Sequence, residues 1–336
     1  MKPNNLIDYR KISNITSNDK NIVAQSTKMD FDKNTYKNEL WRYSKNSWKK
    51  FKGSKASNFF MPQYSNNKKI LSYIKSTKKS KKITISSLCF QDGNSITTVF
   101  ETEDTIQSYY WASKDNYIYI VTKEWDKSFK SIDDKEMEPL YLENIPYRFD
   151  TRGIIFNKRN HIYKVSVSNQ KSSKIIDGDK EGFISIGSIA EKGNSLYFTA
   201  SSYNESGSML DEKIIKKTGS KLETIHTEGM WGKLFIFNNE LHGIGLNKRF
   251  EWPTNISIHQ IKDTGKTTVL YQDLDRPITN VKCRDSFMYI LYEDSGKQLL
   301  GKGDGKNIEK LIDEQLTISD FEISSNRFSV IANTFS

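Results

Sequence analysis

A chain of 336 residues, 27% of them charged and 12% aromatic, is long enough for one large domain or two ordinary ones. No run approaches the ~18 apolar residues of a spanning helix. The start, MKPNNLIDYRKISNITS, lacks an apolar leader core, so a cytoplasmic protein without a membrane partner is expected. The net charge is +10, yet nine of the 51 basic residues are Arg and lysines occur along the whole chain, which reads as a solvated surface with guarded strand edges and predicts no nucleic-acid partner.

In chain order, one pattern recurs: a short apolar segment, a polar turn, then a five-residue apolar strand. It begins in SNITSNDKNIVAQSTK at Ser13 and returns in PQYSNNKKILSYIKS at Pro62 and YWASKDNYIYIVTKE at Tyr110. Further copies are GSIAEKGNSLYFTAS at Gly187, LFIFNNELHGIGLNK at Leu234, VKCRDSFMYILYED at Val281 and FEISSNRFSVIANTF at Phe321. The strands start at residues 21, 69, 117, 195, 240, 287 and 327, giving spacings of 48, 48, 78, 45, 47 and 40. A period in the forties marks a repeat array. After each shared strand come two alternating segments joined by a glycine turn, at Gly93, Gly219, Gly265 and Gly305. Four antiparallel strands per period predict an all-β fold, a β-propeller of about seven four-stranded blades. Six blades are complete and the seventh is partial, and the propeller is not necessarily latched shut. Residues 1–12 form a lead-in and 13–336 the propeller.

The spacing of 78 holds an insertion in the third blade, residues 123–153, interrupted by Pro139 and Pro146. Loops of that length usually carry function. Its acids, DDKEMEP (133–139), read as a solvated loop. The basic cluster KSTKKSKK (75–82) reads as an exposed turn, and Cys89 and Cys283 as buried thiols.

The chemistry of catalysis is missing from the sequence. There is no G-x-S-x-G, H-E-x-x-H or C-x-x-C and no nucleotide-binding glycine loop. His161 and His259 lie in strands as packed or edge residues, and His226 and His242 have no nucleophile or metal-ligand partner near them in sequence. No catalytic residue, metal or cofactor is expected.

The turns SNDKNIVA (17–24), SNNKKILSY (65–73) and SKDNYIYIV (113–121) resemble the degenerate S-P-D-G-K repeats of enzyme-associated propellers. The opening LIDYRKISNITSNDKNIVAQSTKMDFDKNTYKNELWRYS (6–44), with its ELW strand, resembles acylaminoacyl-peptidase-like members of the prolyl oligopeptidase family. The segment IPYRFDTRGIIFNKRNHIYKVSV (145–167) is similar to the entry to that family's third-blade outer hairpin, with Thr151 where a glycine is common. The resemblance covers essentially the whole chain. It implies the propeller domain of a serine peptidase, followed by a C-terminal α/β-hydrolase domain in cis, gating and helping to position peptide substrates. Homo-oligomers are compatible with it. Tyr147, Arg148 and Arg152 are the candidate peptide-facing residues, because a guanidinium can hold a carboxylate or carbonyl by directed hydrogen bonds. Two other readings stay open: a free-standing propeller scaffold that binds proteins or peptides, and a propeller enzyme with metal at its axis.

Overall fold

Short β-branched and aromatic runs separated by Asn, Asp and Gly turns favour antiparallel meanders over helices, and the computed structural model is built from them. It describes residues 9–54, 56–80, 83–125, 144–145, 147–149, 153–155, 158–248, 254–312, 316–324 and 327–334. Blade 1 is β1 (Arg10–Ser17), β2 (Ile22–Asp30), β3 (Thr35–Ser44) and β4 (Ser47–Lys52). Blade 2 is β5 (Ser57–Tyr64), β6 (Leu71–Lys78), β7 (Thr84–Asp92) and β8 (Ser95–Thr102). Blade 3 begins with β9 (Thr105–Trp111) and β10 (Tyr117–Trp125). After the short strands β11 (Arg148–Phe149) and β12 (Gly153–Ile154), it resumes with β13 (Lys158–Ser166) and β14 (Ser172–Ile176). A single turn of helix, α1 (Gly178–Glu181), leads onward.

Blade 4 is β15 (Ser185–Lys192), β16 (Ser195–Tyr203), β17 (Leu210–Thr218) and β18 (Lys221–His226). Blade 5 is β19 (Met230–Phe237), β20 (Glu240–Leu246), β21 (Ser257–Ile261) and β22 (Thr267–Leu270). Blade 6 is β23 (Ile278–Arg284), β24 (Phe287–Asp294), β25 (Lys297–Gly303) and β26 (Ile308–Lys310). The strands β27 (Leu316–Ser324) and β28 (Arg327–Thr334) form a two-stranded sheet. The described residues therefore hold six four-stranded antiparallel sheets in meander order, which is the β-propeller fold. YIYIV is the second strand of blade 3, with Ile118, Ile120 and Val121 fully buried.

The chain divides into two compact units. The first holds residues 1–120, 165–172 and 314–336, and the second residues 121–164 and 173–313, so the boundary runs through blade 3.

In the first unit the repeated polar turn joins neighbouring blades. The Asp115 carboxylate accepts from the backbone N–H groups of Asn66 and Asn67 at 2.8 and 2.7 Å, and from the Asn66 side chain at 2.9 Å. Lys68 pairs with Glu322 of β27 at 2.8 Å, and Arg327 donates to the Asn18 carbonyl at 2.9 Å. The glycine missing from these turns is replaced by Lys68 (φ 61°) and Asp115 (φ 56°), which take the left-handed conformation themselves. An apolar cluster of Val23, Leu40, Phe59, Leu71 and Tyr73 fills the space between blades 1 and 2.

The first strand of a blade repeatedly carries a bulge. Register shifts fall in β1, β5, β15, β19 and β23, and β27 has one too. A bulge leaves backbone groups outside the ladder, and here neighbouring first strands satisfy them. Ile15 N–H donates to Asp320 at 3.0 Å, and Leu234 N–H to the Ser188 hydroxyl at 2.9 Å. The Lys233 ammonium donates to the Val281 carbonyl at 2.5 Å and to the Asn280 side chain at 2.9 Å.

Two details depart from the sequence reading. The KSTKKSKK cluster is not all turn, since β6 runs on to Lys78 and the turn starts at Lys79. Cys283 is exposed rather than buried; it lies two residues past the buried Val281, where β23 nears its end at the hairpin turn. Cys89 is buried, and burial pushes its thiol up.

Candidate functional site

Two groups of residues in the second unit stand out, one on the insertion and one around His161. The tail of the insertion forms a small hairpin. Arg148 pairs with Ile154 and Phe149 with Gly153, and Ile155 N–H donates to the Tyr147 carbonyl at 2.9 Å. Ile155 is buried and anchors the hairpin, while Ile145, Tyr147 and Arg148 are exposed. The lead into the hairpin is tied to the β16–β17 loop by Ile145 N–H to the Gly207 carbonyl at 2.6 Å. That loop is itself shaped by Asn204, whose side-chain oxygen accepts from Ser208 N–H at 2.9 Å and Met209 N–H at 3.3 Å. The result presents an aromatic ring, an aliphatic side chain and a guanidinium on a backbone-pinned support. Arg152, Thr151 and the acids of 133–138 lie outside the described residues.

His161, on β13, is buried (1% exposed) at the centre of the second group. Its Nδ1 accepts from Gly178 N–H at 3.1 Å and lies 3.3 Å from an Asp177 carboxylate oxygen. Its Nε2 points at Glu124 Oε2 across 3.6 Å. Accepting at Nδ1 requires the proton on Nε2, so the neutral tautomer is set by the backbone. Gly178 is needed here because a Cβ would meet the Asn160 carbonyl oxygen at 2.1 Å. Burial pushes the His161 imidazole down, and the charges of Glu124, Asp179 and Asp177 pull it back only in part. Burial also opposes ionisation of Glu124. Hydrogen bonds from Thr122 (2.8 Å) and Tyr163 (2.9 Å), with the charges of His161 and Lys174, outweigh it and hold the carboxyl below the usual range.

His161, Asp177 and Asp179 lie close enough together to be considered as metal ligands. The Nδ1 lone pair that a cation would need is, however, already taken by Gly178 N–H, and Asp177 caps α1 by accepting from Asp179 N–H at 3.3 Å. The chemistry fits a structural lock on the β13–β14 side of blade 3, away from its first strand. Sequence reading placed His161 correctly as a packed strand residue but missed its partners. Glu124 and Asp177 are 37 and 16 residues away from it, and only the strand order of blade 3 brings them together.

The other histidines are held by backbone and rings. His226 sets its two ring nitrogens 3.2 and 3.3 Å from the carbonyl oxygens of Gly265 and Asn247, beside Trp231. It borders an open cavity of about 610 Å³ with Glu228 and Lys266. His242 is buried between Phe235 and Phe237. His259 is buried edge-on to Trp231.

No family model matches this chain, and no curated protein matches it. Solved structures do. The chain is similar to the acylaminoacyl peptidase of Pyrococcus horikoshii, with TM-score 0.74 at 14% identity over 97% of this chain and 49% of that one. It is similar to the β-propeller domain of the Trilobed protease from Pyrococcus furiosus, described as having an open velcro topology. There the TM-score is 0.66 at 13% identity, over 98% of this chain and 91% of that one. A puromycin-hydrolyzing peptidase of Mycobacterium tuberculosis gives 0.63 at 10% identity over 97% of this chain and 50% of that one. The fold is thus the one found in the propellers of these peptidases. The chain spans about half the length of the first solved structures it matches.

Proposed function

We propose that this chain is the non-catalytic propeller part of a cytoplasmic serine peptidase of the acylaminoacyl-peptidase type, gating and positioning peptide substrates for an α/β-hydrolase domain in cis. The observation that carries this reading is the match over 97% of the chain to half of an acylaminoacyl peptidase. The absence of a G-x-S-x-G from all 336 residues fits it, because the nucleophile then belongs to the other half. A ring of blades around a channel admits a flexible peptide and excludes a folded domain by size. Tyr147, Arg148 and Arg152 are the peptide-facing groups in this reading. The exposed Tyr147 and Arg148 on the pinned hairpin offer a stacking surface and a directed pair of donors. The sheet of β27 and β28, with the bulge of a blade's first hairpin, is read as the first half of a seventh blade.

The test is the natural gene product, translated to its own stop codon. It is expected to carry a G-x-S-x-G within the following ~250 residues, the span of a typical large single domain, and to label with a fluorophosphonate, whereas residues 1–336 alone do not label. Labelling of residues 1–336, or a stop codon directly after Ser336, defeats the reading. Arg148→Ala in the labelled product is expected to raise KM for peptides several-fold with kcat little changed.

A further inference from the structure

The lysines are less evenly spread than a reading by residue suggests. Blades 1 and 2, residues 10–102, contain 19 Lys and Arg against six Asp and Glu, a net charge of +13, so the rest of the chain sums to −3. Part of that excess gathers on the face of blade 1 that meets blade 2. β3 carries Arg42 two residues past the buried Leu40, opposite Val23 on β2 and the exposed Lys49 on β4. Residues paired across antiparallel strands share a face, so Arg42 is on the same side as Val23 and Leu40, which fill the seam with blade 2. β4 adds Lys52, paired with Leu40, and Phe51 at the register shift.

Arg42 and Lys52 are both half-buried and lean on one ring. The Arg42 guanidinium carbon is 3.6 Å from the Phe51 centroid, and the Lys52 ammonium is 4.7 Å from it and 5.9 Å from the Tyr73 ring. Phe51 covers the flat face of the guanidinium, while the N–H donors lie along its edge. Arg42 Nε is buried without a hydrogen-bond partner, and no carboxylate pairs with Arg42 or Lys52 among the described residues. Blade 2 supplies no negative charge to them either. Burial pushes the phenols of Tyr64 and Tyr73 and the thiol of Cys89 up, which keeps all three neutral. Lys75 stands near Cys89 as a further cation, and Glu101 of β8 accepts from the Ser87 hydroxyl at 3.1 Å. Burial and the Arg42 charge push the Lys52 ammonium down.

Two like charges held side by side and partly out of water are costly unless an anion balances them. Stacking on Phe51 offsets part of that cost, but it gives the buried Nε no acceptor and the pair no counter-charge. We propose that Arg42 and Lys52 form a binding site for a phosphate group, with Lys49 at its exposed rim. Charge and geometry select this class of ligand. A phosphate dianion matches two cations and has oxygens enough to accept from both, whereas a carboxylate would leave one charge uncompensated. Arg supplies a directed fork of donors and Lys a point charge, the two ways in which side chains hold phosphate. The site lies on the outer two strands of blade 1 and is independent of the peptidase reading.

Calorimetric titration of the natural gene product with inorganic phosphate, at neutral pH and constant ionic strength, tests the site. The expected dissociation constant is about 1 mM or tighter. Arg42→Met and, separately, Lys52→Met are expected to weaken binding about tenfold or more, the scale of one lost bond to a charged group. In phosphate-free buffer Lys52→Met is expected to keep or raise the thermal midpoint, because a like charge is gone, and to abolish the rise that phosphate gives the wild type. No phosphate binding up to about 10 mM overturns the site and leaves the two cations as a clasp on Phe51. Binding kept in full by both variants places the anion on surface lysines and also overturns it. Acetate that displaces phosphate at equal concentration overturns the assignment to a dianion. Glycerol 2-phosphate separates the sources, and either outcome supports the site: binding about tenfold tighter than phosphate assigns a phosphate ester, and equal or weaker binding assigns the free ion.

Discussion

Neighbouring blades are joined by different chemistry in the two units. In blades 1 to 3 the apolar seam is supplemented by polar clasps in the turns, where Asp115 holds Asn66 and Asn67 while Lys68 reaches Glu322 of β27. In blades 4 to 6 aromatic rings set against glycines add to the polar contacts of the first strands. Trp231 lies over Gly243 and Gly245 within blade 5 and packs on Tyr197 and Ile214 of blade 4. Tyr271, after β22, lies against Gly303 of blade 6, and its hydroxyl accepts from Gly305 N–H at 2.8 Å. A dry ring-on-backbone contact gains from burial and close packing and is insensitive to salt. A turn clasp gains from directed hydrogen bonds in partial contact with water and is worth less per contact. The two kinds of joint should therefore fail at different sizes of perturbation and under different conditions.

The sharpest break is at Gly243. A Cβ there would sit 2.7 Å from the Trp231 ring and 3.0 Å from Ile261 Cδ1, both held in the core. Gly243→Val is expected to cost about 3 kcal/mol by overpacking. Denaturant melts would show it as a large drop in midpoint, the same at low and high salt. A loss below about 0.5 kcal/mol, the scale of an ordinary surface substitution, would mean that the ring does not close this joint.

His161 tests a third kind of joint, polar but buried. His161→Ala removes the acceptor for Gly178 N–H and opens a cavity, with an expected loss of about 2–3 kcal/mol. His161→Asn, whose Oδ1 stands in for Nδ1, should recover part of it. The pH dependence has a definite sign. The folded-state imidazole titrates below its unfolded value, so its contribution is complete above the ordinary imidazole range near ~6.5. It is lost as pH falls below that range. Wild-type stability should therefore decline in mild acid more steeply than that of His161→Asn. Glu124 is also held low, but its contribution fails only below the ordinary carboxylate range, so the two windows separate. Parallel pH curves for wild type and His161→Asn would contradict the lowering of the His161 imidazole by burial.

How far this was legible in the sequence follows the same division. The strand–turn–strand period lies in local residue order, so the blades could be read directly, and YIYIV fell where its copies placed it. The turn clasps were half legible: SNDKN, SNNKK and SKDN repeat visibly, but nothing local says that Asp115 reaches back 49 residues to Asn66. The ring-on-glycine joints were hidden, since Gly243 and Gly245 in a strand look like weak strand residues until Trp231 is seen lying over them. His161 was hidden for the same reason, as its partners come from β10 and the start of α1. The charge polarity of blades 1 and 2 was present in the sequence throughout. It emerges only when residues are grouped by blade, and the blades had to be found first.

The smallest expected effects concern the polar clasps, and there the two members differ. Asp115→Ala removes acceptors from two backbone N–H groups and one side chain, with an expected cost of about 1–2 kcal/mol because those donors are near solvent and water replaces part of the bonding. Lys68→Ala leaves Glu322, which is 9% exposed, without its ammonium partner. The ammonium itself is a third exposed and screened, so the expected cost is about 0.5–1 kcal/mol. Raising salt to about 1 M, where screening acts within ~3 Å, should shrink the Lys68 effect and leave most of the Asp115 effect, since hydrogen bonds to backbone are screened less than a bare ion pair. A Lys68→Ala and Glu322→Gln double-mutant cycle isolates the pair. A coupling of zero would mean that this pair does not help to hold β27 to blade 2.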